Sequence, residues 1–286
     1  MRWKGSRQSG NFEDRRGMSS GGKLALGGVG GVIVLIIGLL MGGDPQQLLQ
    51  QMQDSGVQQS EGPVEISPEE AELTEFVRVV LASTEDVWAS VARTARLDFR
   101  PATLVLYRDG VQTDGCGMGA SAYGPFYCPA DEKVYIDLSF NDELRERFGA
   151  TGEFAMAYVL AHEVGHHIQK LTGAMDRVNA ARQRLSEAEY NKVQVMLELQ
   201  ADFYAGVWAH HANRMSEVHL EYGDIRDGME AAAAVGDDRL QMQSQGHVVP
   251  EAFTHGTSEQ RAYWFKRGYD TGDIRQGDTF SDPSLQ

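Results

Sequence analysis

The chain has 286 residues, 42% hydrophobic and 9% aromatic, a composition typical of a protein that folds around an apolar core and not of a disordered one. Its formal net charge is -15, but residues 1–41 carry six Lys and Arg against two acidic residues, while the remainder carries 20 against 39. The bulk of the protein should therefore repel nucleic acid, and nucleic-acid binding is excluded as its function.

An apolar segment near the N-terminus follows a Gly-, Ser- and Arg-rich stretch, residues 1–22, which we predict to be a disordered tail. Leu24–Met41 contains no charged residue, and as a helix rising about 1.5 Å per residue it is long enough to cross a hydrocarbon core. We therefore predict one transmembrane helix over residues 23–43. A cleaved secretory signal is the alternative, although no small-x-small cleavage pattern follows the apolar run.

The basic residues of this region all precede the apolar segment. By the positive-inside rule they predict a single-pass protein of the inner or plasma membrane, with a cytoplasmic N-terminus and a periplasmic folded domain. Residues 44–66, rich in Gln, Gly and Asp, are predicted to be a linker between the membrane and this domain.

The folded domain is predicted to span residues 67–272 and to be α+β, mostly helical with a small sheet. Ser67-Pro68 is typical of a helix start, and apolar residues then recur at helical spacing. Strands are predicted at Thr103–Tyr107 and Lys133–Leu138. Further helices are predicted over residues 152–171, 175–213, 222–243 and 258–268, followed by a flexible tail over 273–286.

The chain contains two cysteines, Cys116 and Cys128, both after the apolar segment. An even number of cysteines in an oxidising compartment favours one disulfide that closes a short loop. Two free thiols are the alternative.

The motif H-E-x-x-H occurs inside an apolar helical segment, as His162-Glu163-Val164-Gly165-His166. Helical spacing puts His162 and His166 one turn apart on the same face, where two imidazoles can share one tetrahedral metal ion. Glu163 then lies beside the open coordination position, where a carboxylate can activate the attacking water. The small residues Ala161 and Gly165 would permit a second helix to pack closely. His167 should point away from the metal.

A third ligand is predicted on a later helix, at Glu198, which is followed one turn later by Asp202. One helical face then presents a ligand carboxylate and a second carboxylate able to orient a ligand histidine. A metzincin site is excluded, because Gln169 and Thr172 stand where that class has a Gly and a His. An acidic, solvated helix face is the alternative for Glu198 and Asp202.

The H-E-x-x-H helix followed by E-L-Q-A-D resembles the gluzincins, and in particular the bacterial putative neutral zinc metallopeptidase family, related to the prenyl-protein-processing and heat-shock membrane zinc peptidases. The segments Gly124–Phe140 and Thr254–Arg261 are similar to that family's surroundings of the site, and the resemblance runs from about Ser67 to Gly268. The prenyl-processing relatives have several membrane helices whereas this chain has one predicted helix, so a lipidated substrate is not expected.

The resemblance implies a zincin-like fold and one zinc ion per chain, held by His162, His166 and Glu198, with Glu163 as the general base. It also places His255 and Arg261 near the metal. For His255 we predict stabilisation of the oxyanion in the transition state, and for Arg261 a structural pair with an acidic residue such as Asp202. The alternative for both is a solvated surface position.

These features predict a membrane-anchored zinc metallopeptidase that hydrolyses polypeptides, with the strand Lys133–Leu138 offering an edge along which an extended substrate pairs. A membrane-anchored scaffold that keeps zinc for stability is the alternative function. Zinc-dependent hydrolysis of a non-peptide amide is another, although no aromatic-rich carbohydrate-binding stretch supports it. The oligomeric state does not follow from the sequence.

Overall fold

The computed structural model describes residues 1–17, 65–150, 153–221 and 223–286, which form a mostly helical α+β fold with a small mixed sheet. Met1–Arg15 and Ile66–Gln286 belong to one compact unit. The predicted transmembrane helix and nearly all of the predicted linker lie outside the described residues. Among the helices of the described ranges, none has both the length and the apolar character that a membrane crossing requires.

The first helix begins where the sequence predicts it. Helix α1 spans Pro68–Ala95, and the Ser67 hydroxyl caps it by accepting a hydrogen bond from the Glu70 amide at 3.1 Å. Arg96, in the left-handed conformation with φ 56°, ends it. Its buried face carries Val77, Val80, Leu81, Val87 and Trp88, all at most 1% exposed, so the helical periodicity of the sequence reports the core correctly.

The described residues contain six strands, which are β1 Phe12–Asp14, β2 Thr103–Tyr107, β3 Gly110–Gln112, β4 Met118–Ala120, β5 Phe126–Cys128 and β6 Lys133–Asp137. Four of them form one sheet in the order β1, β2, β6, β5, and β3 and β4 form a separate hairpin. Strands β1, β2 and β6 run parallel, and β5 runs antiparallel to β6.

Two strands of this sheet were predicted, and the placement of one requires a correction. Strand β6 lies inside the sheet between β2 and β5, so the prediction that it offers a free edge is wrong. The edge strands of the described sheet are β1 and β5, and β5 is only three residues long, too short for an alternating pattern to reveal. A disulfide joins Cys128 of β5 to Cys116, with Cα atoms 5.9 Å apart, and confirms the predicted pairing.

Seven further helices of the described residues follow the sheet in the chain, and they confirm that the C-terminal half is helical. They are α2 Phe140–Glu146, α3 Glu153–Leu171, α4 Ala174–Ala181, α5 Glu187–Met215, α6 Asp224–Ala234, α7 Asp237–Gln245 and α8 Ser258–Thr271. The single helix predicted over 222–243 is divided at Gly236, where a Cβ atom would lie 2.3 Å from the Ser258 amide nitrogen. The break therefore lets the start of α8 approach the α6–α7 connection.

The prediction of a disordered N-terminal tail is wrong for residues 1–15, which we call the N-terminal arm. Trp3 is 4% exposed and contacts the Phe76 ring of α1, edge to face at 5.2 Å. Strand β1 pairs with β2 in parallel register, Glu13 opposite Val105. The Gly-, Ser- and Arg-rich composition concealed this order, because three strand residues and one isolated tryptophan give no periodic signal.

The prediction of a flexible C-terminal tail over residues 273–286 is also wrong. Thr279 is fully buried and donates a hydrogen bond from its hydroxyl to the Met196 carbonyl at 2.6 Å. Gln200 of α5 donates to the Gly277 carbonyl at 2.8 Å. Polar side chains bonded to backbone groups, which a hydropathy pattern does not report, therefore hold this segment against α5.

Candidate metal centre

Two closely packed helices, α3 and α5, position the candidate ligands. A Cβ atom on Gly165 would lie 2.9 Å from the Ala201 carbonyl oxygen, closer than side-chain carbons approach in folded proteins. Ala161 and Ala201 are buried at the same interface. The sequence prediction that small residues here permit a close helix pair is confirmed.

This contact brings together His162 and His166 of α3 with Glu198 of α5. The Nε2 atoms of the two histidines lie 3.2 Å and 3.3 Å from the same oxygen, Oε2 of Glu198. Ligand atoms of all three side chains fall within 4.8 Å of one another, and all three residues are buried. The predicted ligand set thus converges on one point.

Each histidine is held through its other ring nitrogen. His162 Nδ1 lies 2.8 Å from Oδ1 of Asp202, and His166 Nδ1 lies 2.8 Å from Oε1 of Gln169. Gln169 in turn donates to the Leu197 carbonyl at 2.6 Å. These acceptors favour a proton on Nδ1 of each ring, so Nε2 of each ring is the nitrogen that faces Glu198 and can bind a metal ion.

Asp202 is the centre of a buried polar network behind the ligands. Arg261 donates to it from Nε at 2.9 Å and from Nη2 at 3.0 Å, and the Tyr158 hydroxyl donates to it at 2.5 Å. Burial favours the neutral acid, but Arg261 and His162 outweigh burial and lower the pKa of Asp202 to about 2. Asp202 therefore stays ionised and can orient His162.

The carboxylate of Glu198 is held in the form that a metal ligand requires. Burial alone would raise its pKa, but the facing His166 and His162 keep the pKa of Glu198 well below its usual range. For His162 burial lowers the pKa, while Asp202 and Glu198 outweigh it and raise the pKa to about 10. In the metal-free chain His162 therefore holds a proton, which a metal ion must displace on binding.

A cleft of about 580 Å³ opens beside these ligands, and Glu163 lines it together with all three of them. Its walls include Phe126 and Tyr127 of β5 on one side. Glu163 is 8% exposed, which leaves its carboxylate in contact with the cleft and shielded from bulk water. The geometry thus puts a carboxylate next to the ligands without making it one of them.

His255 lies in the same cleft, at its solvent-exposed mouth, with 49% of its side chain exposed. Its Nδ1 lies 3.3 Å from Oδ1 of Asp237, and its backbone amide donates to Oδ2 of the same residue at 2.6 Å. Asp237 is buried, so its carboxylate has little freedom to move away from His255. A neighbouring cavity, of about 690 Å³, is lined by His255 and by Gln194 of α5.

Other titratable residues of α3 and α5 lie away from this centre. His167 points to the opposite side of α3, where its Nδ1 meets the Tyr127 hydroxyl at 3.0 Å and its Nε2 the Arg100 carbonyl at 2.7 Å, as the helical spacing predicted. Glu187 is exposed at the start of α5, and His210 bonds the Tyr269 carbonyl. Among the described residues, neither belongs to the group of side chains that could hold a metal ion.

Three residues of the site were missed in the sequence. Gln169 follows His166 by three positions and Tyr158 precedes His162 by four, so helical spacing placed both on the face of the ligands. Asp237 gave no such signal, because its contact with His255 joins the first residue of α7 to the loop before α8, two segments separated in the chain.

The chain matches the family described as putative neutral zinc metallopeptidase over residues 1–280. It belongs to this family. It is similar to "Uncharacterized protein YpfJ" of Escherichia coli K12, 48% identical over 286 residues, which covers 98% of this chain and 99% of the relative. It is also similar to "Uncharacterized protein Rv2575" of Mycobacterium tuberculosis H37Rv, 45% identical over 180 residues and 60% of each chain. No solved structure is significantly similar.

The donor atoms present fit the zinc ion that the family name implies. Two imidazole nitrogens and one carboxylate oxygen are a common protein ligand set for catalytic zinc. Here they are buried, converge within 4.8 Å and are oriented by Asp202 and Gln169. His162, His166 and Glu198 would hold the ion.

Proposed function

We propose that the protein is a zinc-dependent peptidase that hydrolyses polypeptides. The observation that carries this proposal is the place of Glu163, which lines the same cleft as the buried His162, His166 and Glu198. A site that holds zinc only for stability needs no carboxylate base beside the metal. Family membership supports the same reaction class.

His162, His166 and Glu198 would hold the zinc ion, which when bound would supply a Lewis acid for the scissile carbonyl and for the attacking water near neutral pH. Glu163 accepts the proton of the attacking water and delivers it to the leaving amine. Asp202, ionised and paired with Arg261, keeps His162 in its ligand orientation.

An extended substrate fits along β5. This strand pairs with β6 on one side, and among the described strands none pairs with its other edge. Phe126 and Tyr127 of β5 line the cleft next to Glu163. Main-chain hydrogen bonds to β5 would hold a peptide across the ligands with little dependence on its sequence.

His255 is proposed to stabilise the oxyanion of the transition state. The Asp237 carboxylate at Nδ1 leaves Nε2 of His255 as the nitrogen available to the cleft. His255→Ala should lower kcat by about 10²–10³-fold without loss of zinc, as removal of an oxyanion donor does elsewhere. Steady-state cleavage of a peptide by zinc-loaded protein measures this effect. His247, exposed on the loop after α7, gives the matched control His247→Ala. An unchanged kcat in His255→Ala would return His255 to a surface role.

The metal assignment is tested by zinc analysis of the purified chain and its variants. We expect about one zinc per chain, lost in His162→Ala and His166→Ala and weakened in Glu198→Ala, because these three residues supply all the protein ligands of one ion. A chelator should abolish peptide hydrolysis, and added zinc should restore it. Glu187→Ala, on the exposed start of α5, is the control. Normal zinc content and turnover in Glu198→Ala would refute the third ligand.

The test of the function itself is cleavage of a mixture of unstructured peptides by the zinc-loaded chain, compared with Glu163→Gln. Zinc bound at full occupancy with no cleavage of any peptide would favour the alternative, a zinc-stabilised scaffold. Proteome-wide profiling of new N-termini in cells with and without the protein would then give the substrate.

We further propose that the enzyme acts outside the cytoplasm, attached to the membrane by the apolar segment Leu24–Met41. The disulfide between Cys116 and Cys128 supports an oxidising compartment, because such bonds rarely persist in the cytosol. The segment itself lies outside the described residues.

A further inference from the structure

The contacts of the N-terminal arm indicate how the chain is oriented relative to a membrane. We propose that residues 1–15 and the metal centre lie on the same side of any membrane that Leu24–Met41 enters, because the arm is a structural part of the catalytic domain. A single crossing with a cytoplasmic N-terminus and an exported domain would separate parts that the fold joins.

Backbone pairing shows that the arm is built into the sheet. The Leu104 amide of β2 donates to the Asn11 carbonyl at 3.0 Å, and the Arg15 amide donates to the Leu106 carbonyl at 2.8 Å. The Ser9 amide donates to the Arg78 carbonyl of α1 at 3.0 Å. Without the arm, this edge of β2, whose three paired residues are all fully buried, would lose its hydrogen-bond partners.

Buried side chains of the arm also contact the domain. Trp3 packs in the main core, and its indole nitrogen donates to Oε2 of Glu153, at the start of α3, at 3.3 Å. Ser9 is fully buried and donates to Glu85 of α1 at 2.5 Å. The arm therefore connects directly to the helix that carries His162 and His166.

Charged residues of the arm form ion pairs with residues of the domain. Arg7 pairs with Glu85 at 3.2 Å and with Asp86 at 2.7 Å, and Lys4 pairs with Glu72. The Lys133 ammonium of β6 pairs with Glu13 of β1 at 2.8 Å. Lys4 and Arg7 thus neutralise acidic residues of the domain, so these two basic residues have a role in the fold that does not depend on membrane orientation.

An exchange of arms between two copies of the chain would not allow the arm and the domain to lie on opposite sides of the membrane. An arm donated by a second copy of the chain would cross the same membrane in the same direction and would be equally separated from the domain. Only an arrangement that brings both flanks of Leu24–Met41 to one side satisfies the contacts of Trp3, Ser9 and β1.

Single-cysteine labelling of the full-length chain in cells tests the proposal. Gln8→Cys reports the arm and Gln183→Cys reports the domain, since both positions are exposed, while the native cysteines are bonded to each other. A membrane-impermeant maleimide should label both variants to the same extent, either both in intact cells or both only after permeabilisation. Labelling of one before permeabilisation and of the other only after it would overturn the proposal.

A second variant tests whether the arm is docked. Ser9 is fully buried, so Ser9→Cys should react much more slowly than Gln8→Cys in the native chain, and as fast as Gln8→Cys once the chain is denatured. Equal rates in the native chain would show a free tail and overturn the proposal. Slow labelling at position 9 with matched labelling at positions 8 and 183 would establish it.

Discussion

Glu163→Gln should abolish peptide hydrolysis while the chain keeps its zinc and its fold. The substitution preserves the volume of a side chain that is 8% exposed and removes the group that accepts and delivers the proton. General acid-base catalysis typically contributes about 10²–10⁴-fold, so kcat should fall by at least that factor. The measurement is steady-state cleavage of a peptide at matched zinc occupancy.

The control for this variant is a second Glu→Gln change outside the cleft. Glu230 lies exposed on α6 and pairs with Arg226 at 3.7 Å, so Glu230→Gln should retain full activity. Zinc content and thermal midpoint should match the parent chain in both variants. Undiminished hydrolysis in Glu163→Gln would disprove the proposed base and leave the metal assignment intact.

Arg261→Ala should produce the largest loss of stability among the residues around the metal. Arg261 is 4% exposed and makes two hydrogen bonds to Asp202, which is itself fully buried. Its removal would leave a buried carboxylate without its cation, which in other proteins costs about 3–5 kcal/mol. The midpoint of urea unfolding should fall accordingly, and zinc affinity should fall with it because Asp202 orients His162.

Two further variants serve as comparisons for Arg261→Ala. Arg275→Ala removes a surface partner of Asp273, with 85% of the arginine side chain exposed, and should leave the midpoint of urea unfolding close to that of the parent chain. Arg261→Lys retains the charge but loses the planar fork, so its stability should lie between those of Arg261→Ala and the parent chain. An Arg261→Ala chain that unfolds at the parental urea concentration would show that the pair contributes nothing.

Part of the candidate site could be predicted because its residues obey local geometry. His162 and His166 lie four positions apart on one helix, as do Glu198 and Asp202 on another, and helical spacing decides which face they share. Small residues at Ala161 and Gly165 indicated where the second helix approaches. Each of these predictions depends on residues only a few positions apart in the sequence.

Other parts of the fold were predicted wrongly from the same sequence. Residues 1–15 and 273–286 are polar and aperiodic, yet Trp3 and Thr279 are buried and backbone groups of both segments are paired. The substrate edge was assigned to β6, which the structure places inside the sheet. Short strands and polar anchors leave no periodic pattern to detect.

Sequence patterns were sufficient to identify the residue types of the candidate metal centre, their spacing on two helices and the cysteine pair. The folded chain was needed to show that Asp237 contacts His255, that Gln169 bonds both His166 and the α5 backbone, that β5 is an edge strand beside the cleft, and that the N-terminal arm pairs with β2. The difference arises from the separation in sequence between the residues that interact. Helical periodicity arises from contacts within one turn, whereas hydrogen bonds and ion pairs between distant segments depend on how the whole chain closes around its core.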